Sequence, residues 1–251
     1  GIMLFDNSLS MSYLEAGSTT LDRARDIALA HLQSLPVGSR MAIADTASDR
    51  PIPFQSTMLS AQSRLQAIVP SPVALPIDDR LREALRAQED DRKRTLQDLP
   101  AAAGKDSRDR YIRRIYLFTD LAKSAWRPAG SQLLLADLER LKGINLYIID
   151  IGRPQGRNQA ITAVSLSGER IPIGGELVVA AAAQSQGQDV KEQGIELLFQ
   201  NRQGEQVKQG QTTLNLDANL PVQAQFPIIG GLTNRWIHGE TRLLGTDPLT
   251  F

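Results

Sequence analysis

The sequence predicts an α/β domain with a mostly parallel sheet, followed by an all-β domain. Over residues 1–153, short apolar strands alternate with amphipathic helices, which is the pattern of a sheet built from strand–helix–strand units. Over residues 157–251, apolar residues recur at every second position and glycine-containing turns separate the runs. A Gly- and Pro-containing linker at residues 152–156 lies between the two patterns, so we place the domain boundary there.

The expected elements of the first domain follow from its hydrophobic periodicity. They are strands at residues 2–5, 40–45, 111–119 and 144–151, and helices at residues 21–35, 60–68, 77–87 and 132–141. Helical connections of this length require right-handed crossovers, so we expect a doubly wound, Rossmann-like sheet covered on both faces. The charged segment 88–110, which contains Pro100 and Gly104, is predicted to be a mobile insertion loop.

The second domain shows the two-residue period of half-buried strands. Leu177, Val179 and Ala181 form one such run, and similar runs start at Ile195 and Val222. This pattern and the length of the segment predict an antiparallel, immunoglobulin-like sandwich of seven strands. We expect Trp236 to fill its core.

Composition narrows the classes of partner. Among the 251 residues, 28 Lys and Arg balance 28 Asp and Glu, so no nucleic-acid partner is expected. The absence of cysteine excludes disulfides and thiol chemistry. Because no apolar run reaches the length of a membrane span, any membrane contact is expected only through segments outside this chain.

Oxygen-bearing side chains follow two of the predicted strands. Asp6, Ser8 and Ser10 come directly after the first strand, and Asp120 follows the strand at residues 111–119. Ligands of open α/β sheets bind beyond the carboxyl ends of the strands, and alternate residues of an extended segment point the same way. Since hard divalent cations prefer oxygen ligands, these four residues predict a metal site.

The same residues carry a resemblance to a known family. The segment from Phe5 to Met11, Phe-Asp-Asn-Ser-Leu-Ser-Met, resembles the metal-ion-dependent adhesion site of von Willebrand factor A (VWA) domains, and Leu-Phe-Thr-Asp at residues 117–120 matches its second acidic loop. The resemblance covers residues 2 to 151. It implies that Ser8 and Ser10 ligate Mg²⁺, with Mn²⁺ or Ca²⁺ as alternatives, and that Asp6 and Asp120 act through water. It further implies a protein partner that offers a carboxylate to the metal.

The β-rich second half extends the resemblance to membrane-anchored prokaryotic VWA proteins of the aerotolerance-operon type. This similarity implies a membrane-associated protein with the present region on the extracytoplasmic side. The chain departs from the family pattern in the loop before the helix at residue 77. The family has a threonine in this loop, whereas neither Leu75 nor Pro76 carries a hydroxyl. Asp78 or a water could take the place of the threonine oxygen, or the site has lost its metal.

Three functions remain open at this point. We expect a protein-binding module without catalytic activity. The alternatives are an aspartyl-phosphate enzyme of the haloacid-dehalogenase kind with Asp6 as nucleophile, although Ser8 replaces the second aspartate of that pattern, and a structural scaffold with a degenerate metal site. His31 and His238 are isolated in the sequence, so we expect structural roles for both.

Overall fold

The chain divides into two compact units, Gly1–Arg153 and Pro154–Phe251. The computed structural model describes residues 1–97, 109–153, 156–168, 170, 172, 174–201, 203–218, 220–229 and 236–249. Each unit has its own hydrophobic core.

A four-stranded parallel sheet forms the centre of the first unit. The strands of this unit are β1 (Ile2–Phe5), β2 (Leu14–Glu15), β3 (Ser18–Thr19), β4 (Ala42–Asp45), β5 (Arg113–Thr119) and β6 (Ile144–Asp150). The sheet order is β4-β1-β5-β6, and β2 and β3 form a separate small hairpin. Because β1 and β5 are neighbours and parallel, their carboxyl ends reach the same edge of the sheet.

Helices cover both faces of this sheet. They are α1 (Thr20–Ser34), α2 (Met58–Gln66), α3 (Ile77–Gln97) and α4 (Pro128–Arg140). Apolar residues of α1 and α2 pack on one face, and those of α3 and α4 pack on the other. The start of α1 is fixed by a capping box, in which the Thr19 hydroxyl accepts from the Asp22 amide and the Asp22 carboxylate accepts from the Thr19 amide.

The prediction of a loop at residues 88–110 is wrong for the first part of that segment, because α3 continues to Gln97. Gln88, Asp91 and Thr95 are charged or polar, yet they lie on the buried side of this helix and face Arg113 at the start of β5. The sequence pattern did not predict that this side of the helix is buried, because polar residues at helical spacing normally form the solvent-exposed face. Residues 98–108 of the expected insertion, with Pro100 and Gly104, lie outside the described residues.

The second unit consists of antiparallel strands. They are β7 (Asn158–Leu166), β8 (Glu176–Gln186), β9 (Val190–Gln200), β10 (Gln206–Leu216), β11 (Val222–Ile229) and β12 (Gly239–Leu243). They form two three-stranded sheets, β10-β9-β12 and β11-β8-β7, which share one core. The prediction of an α/β domain followed by antiparallel sheets is thereby confirmed. In the parts of the chain that the structure describes, no helix has the length and apolar content needed to cross a membrane.

The expectation that Trp236 fills the core of the second unit is wrong. Its side chain is 86% exposed. Phe226 and aliphatic residues fill that core instead. An indole carries a polar N–H that needs a hydrogen-bond partner when it is buried, whereas the N–H of an exposed indole can bond to water.

His31 is a pH-sensitive part of the first unit. Its ring packs edge-on against Tyr116, with 4.7 Å between ring centroids, and its Nε2 atom is buried with no hydrogen-bond partner among the described residues. Burial, and secondarily the positive charge of Arg114, lowers the pKa of His31 below its ordinary value of 6.5. The unfolded chain therefore takes up a proton at His31 at a higher pH than the folded protein does.

We accordingly expect stability to decrease as the pH falls through the ordinary histidine range, because protonation favours the unfolded chain. Melting temperatures measured between pH 7.5 and 5.5 should fall less for His31→Gln than for the wild type. The matched control is His238→Gln, since His238 is exposed and its replacement should leave the pH profile unchanged. Identical profiles for the wild type and His31→Gln would contradict this prediction.

Candidate functional site

Asp6 lies at the carboxyl end of β1 and is fully buried. Its backbone amide donates to the Phe118 carbonyl of β5 at 2.9 Å, which holds the ends of the two strands together. Its carboxylate is 0% exposed and accepts on both oxygens: Oδ1 from the Ser8 amide at 3.0 Å, and Oδ2 from the Thr119 hydroxyl at 2.9 Å. Asp6 is thus the group that connects the loop after β1 to the end of β5.

Ser8 and Ser10 bring their hydroxyls together in this loop. Their Oγ atoms lie 3.1 Å apart and share a hydrogen bond, and both residues are partly exposed. A short 3₁₀ helix, Leu9–Ser12, turns the chain so that the two alternate side chains meet. Each hydroxyl oxygen has a lone pair that can be turned towards a cation.

Asp120 follows β5, one residue beyond Thr119. Its Oδ1 atom accepts from the Ala122 amide at 3.0 Å, while the Leu121 amide donates to the Thr119 hydroxyl at 3.1 Å. Leu121 has φ 59°, a left-handed conformation that is unusual for a bulky residue. No hydrogen bond joins Asp120 to Ser8 or Ser10 within the described ranges, so their common coordination of a cation stays a prediction.

The pKa of Asp6 is affected by burial, by hydrogen bonds and by the charge of Asp120. Burial raises the pKa of Asp6 above its ordinary value, hydrogen bonds from Ser8 and Thr119 partly offset that rise, and the charge of Asp120 adds to it. Burial is therefore the main reason why the ionised form of Asp6 is disfavoured, and the charge of Asp120 makes the smaller contribution.

Three residues of this region were not predicted as functional. Thr119 was part of the Leu-Phe-Thr-Asp pattern, but only the structure shows its hydroxyl on Asp6. Asn7 and Thr46 bond to each other beneath the serine loop. Their sequence signal is weak, because threonine and asparagine are common at strand ends and turns.

Asp78, the possible loop contributor, bonds to the start of α4. Its Oδ1 atom accepts from the Arg127 amide at 2.9 Å, so the carboxylate caps the start of α4 from the first turn of α3. Within the described part of the chain it forms no hydrogen bond to Asp6, Ser8 or Ser10, and we do not include it in the candidate site. An acidic side chain at a helix start is stabilised by the helix dipole, which explains this placement.

The donor set fits a hard divalent cation. It consists of two hydroxyls and two carboxylates, all oxygen donors, of the kind that Mg²⁺ binds together with several waters. Among the described residues, no cluster of three or more His, Cys, Asp or Glu could hold a metal. A cation here would therefore depend on the serine hydroxyls as well as on the acids.

No protein-family model and no curated protein matches the chain. Weak likenesses to solved structures include two β-glucosidases. One is a β-glucosidase from Erythrobacter marinus, with 10% identity and a TM-score of 0.27 over 97% of this chain and 46% of that one. The other is a β-glucosidase from Listeria innocua in complex with glucose, with 11% identity and a TM-score of 0.24 over 98% of this chain and 46% of that one. The chain spans less than half the length of either enzyme.

Both of these neighbours are enzymes, and this finding contradicts our expectation that the chain has no catalytic activity. We withdraw that expectation. At TM-scores this low, the likeness assigns no particular activity to the chain.

Proposed function

We propose that the protein is a binding module of the VWA type, in which a divalent cation at the carboxyl end of the sheet engages another protein. In this proposal, residues 1–153 form the doubly wound VWA domain and residues 157–251 an immunoglobulin-like sandwich. The cation is Mg²⁺, with Mn²⁺ and Ca²⁺ as alternatives. It is held by Ser8 and Ser10, with Asp6 and Asp120 acting through water.

One observation carries the proposal: the ends of β1 and β5 are joined through side chains that suit a cation. Asp6 accepts from Thr119, and the Ser8 and Ser10 hydroxyls lie together in the loop that Asp6 holds. Strands that are far apart in sequence meet here, as ligand sites of parallel sheets do. Among the described residues, no lysine, arginine or histidine contributes to the pKa shift of Asp6, and a bound cation would supply a positive charge there.

The surroundings of the site favour a protein partner. Leu9 and Leu121 lie in the two loops that carry the candidate ligands, and both are exposed. Val69 and Val73, in the loop before α3, are also exposed. Exposed aliphatic residues around a charged centre are typical of a protein interface. When bound, the cation would supply the positive charge that attracts a carboxylate of the partner.

The resemblance also supports the proposal that this region belongs to a membrane-associated protein, on the extracytoplasmic side. Membrane segments would lie outside the present chain. Vesicle flotation of the protein expressed from the full reading frame tests this part separately from the cation site.

A thermal shift experiment tests the cation. Saturating Mg²⁺ or Mn²⁺ should raise the melting temperature, because a ligand that binds only the folded state stabilises it by about 2.7 kcal/mol at a concentration of 100 Kd. Asp6→Asn should abolish this response. It should also raise the melting temperature in EDTA, since it removes a buried charge whose raised pKa disfavours the ionised form.

Ser10→Ala should remove the response without that gain in EDTA. Ser63→Ala provides the matched control, because Ser63 is an exposed serine of α2 whose hydroxyl donates to the Leu59 carbonyl of its own helix. If neither Mg²⁺, Mn²⁺ nor Ca²⁺ changes the melting temperature and Mn²⁺ shows no binding by electron paramagnetic resonance, the cation site is disproved.

A further inference from the structure

We propose that Asn7 is a positioning residue for the cation site, acting together with Thr46 to hold the Asp6–Ser10 loop against the loop of residues 69–75. The proposal rests on the proposed function, since it concerns the same cation. Neither residue belongs to the predicted ligand set.

The Asn7 side chain is buried, and both of its polar atoms form hydrogen bonds within the protein. It is 3% exposed, its Nδ2 atom donates to the Val69 carbonyl at 2.8 Å, and its Oδ1 atom accepts from the Thr46 hydroxyl at 2.9 Å. The same hydroxyl accepts from the Asn7 amide at 3.2 Å. Thr46 therefore both donates to and accepts from one residue, which fixes the position of Asn7 at the end of β4.

Backbone hydrogen bonds extend this connection to the loop before α3. The Ser71 amide donates to the Asn7 carbonyl at 2.8 Å, and the Leu75 amide donates to the Thr46 carbonyl at 2.7 Å. The loop is thus attached near both of its ends, through Val69 and Ser71 to Asn7 and through Leu75 to Thr46. Leu75 takes part in this connection, and by the resemblance to VWA domains Leu75 and Pro76 stand where that family has its loop threonine.

Asn7 stands between Asp6 and Ser8, so its position determines theirs. Any rotation of the backbone at Asn7 moves the Ser8 amide, which bonds to Asp6, and the Ser8 hydroxyl, which bonds to Ser10. Residues that orient metal ligands through hydrogen bonds typically change metal affinity about 10–100-fold when they are removed. Asn7 and Thr46 take that role here because they bond to the loop from its buried side.

The experiment measures the Kd of Mn²⁺ by electron paramagnetic resonance, together with the melting temperature in EDTA. Thr46→Val keeps the shape of the side chain and removes its hydroxyl, and we expect it to weaken Mn²⁺ binding about tenfold or more. Thr46→Ser restores the hydroxyl and should bring the Kd back to within about twofold of the wild type.

A distant threonine separates positioning from general destabilisation. Thr95 is also buried, and its hydroxyl accepts from Arg113 at the opposite end of β5. Thr95→Val should lower the melting temperature in EDTA while leaving the Kd of Mn²⁺ unchanged. Asn7→Ala should also weaken binding, and the loss in the double variant should be smaller than the sum of the two single losses, because both variants remove the bond from the Thr46 hydroxyl to Asn7 Oδ1.

The possible outcomes distinguish the two proposals. If the wild type binds Mn²⁺ and Thr46→Val binds it equally well, or if Thr95→Val weakens binding as much as Thr46→Val, the positioning role is overturned and the cation site stands. If the wild type binds no Mn²⁺, the cation site fails and the positioning role fails with it.

Discussion

Replacing Asp91 by alanine is expected to lower the free energy of unfolding by about 3–5 kcal/mol, the usual cost of removing one partner from a buried ion pair. Asp91 is 5% exposed, and its Oδ2 atom lies 2.6 Å from the Arg113 guanidinium. Burial by itself lowers the pKa of Arg113, but the hydrogen bonds and charges of Asp109 and Asp91 outweigh burial and leave the pKa raised. Without Asp91, Asp109 is the carboxylate that still pairs with the buried guanidinium of Arg113 among the described residues.

The adjacent residue gives the control for this measurement. Asp90 is on the same helix, but its side chain is 62% exposed and lies 4.0 Å from Lys93. Asp90→Ala should change the free energy of unfolding by no more than about 0.5 kcal/mol. Urea denaturation followed by circular dichroism measures both variants, and equal effects at the two positions would refute the buried network as a source of stability.

Gly130→Ala is expected to destabilise the first unit, although the same change in an open helix stabilises by about 0.5–1 kcal/mol. A Cβ atom on Gly130 would lie 1.5 Å from the Asp78 Oδ2 atom, which is far closer than atoms can approach. Either α4 or the Asp78 carboxylate must move, and overpacking of this kind costs about 1–3 kcal/mol. Urea denaturation should therefore show a decrease in stability with an unchanged m-value.

The partner of this contact provides a test of the cause. In the background of Asp78→Ala the carboxylate is absent, so Gly130→Ala should become neutral or stabilising. The two substitutions are then strongly non-additive, as expected for residues in direct contact. An equal loss of stability in both backgrounds would show that the conformation of Gly130, and not the carboxylate, causes the effect.

The elements that could be predicted from the sequence are those set by local chemistry. A helix beginning near Thr19 follows from a capping pattern and a stripe of apolar residues, and both are features of neighbouring residues. The strand at β5 follows from a run of large apolar residues bounded by polar ones. The change from helical to two-residue periodicity after residue 153 likewise indicated antiparallel sheets, which the structure contains.

The end of α3 and the exposure of Trp236 could not be predicted in this way. Asp91 and Thr95 are residues that usually lie on the solvent-exposed face of a helix. They are buried here because Arg113 on the neighbouring strand bonds to both. Trp236 is a large apolar residue of the kind found in protein cores, yet it is exposed. A core position also requires space, which the packing of the other strands determines.

For the candidate site, the sequence by itself determined the donor atoms: an aspartate and two serines at alternate positions after one strand, and a second aspartate after another. Which of these atoms meet was decided only by the tertiary structure, because parallel pairing of β1 with β5 brings Asp6 to Thr119 across more than a hundred residues of chain. The packing of α3 against α4 likewise gave the Asp78 carboxylate its partner, the Arg127 amide at the start of α4. A hydrogen bond depends on position and direction in space, and for residues so distant in sequence those are fixed by the packing of the whole sheet.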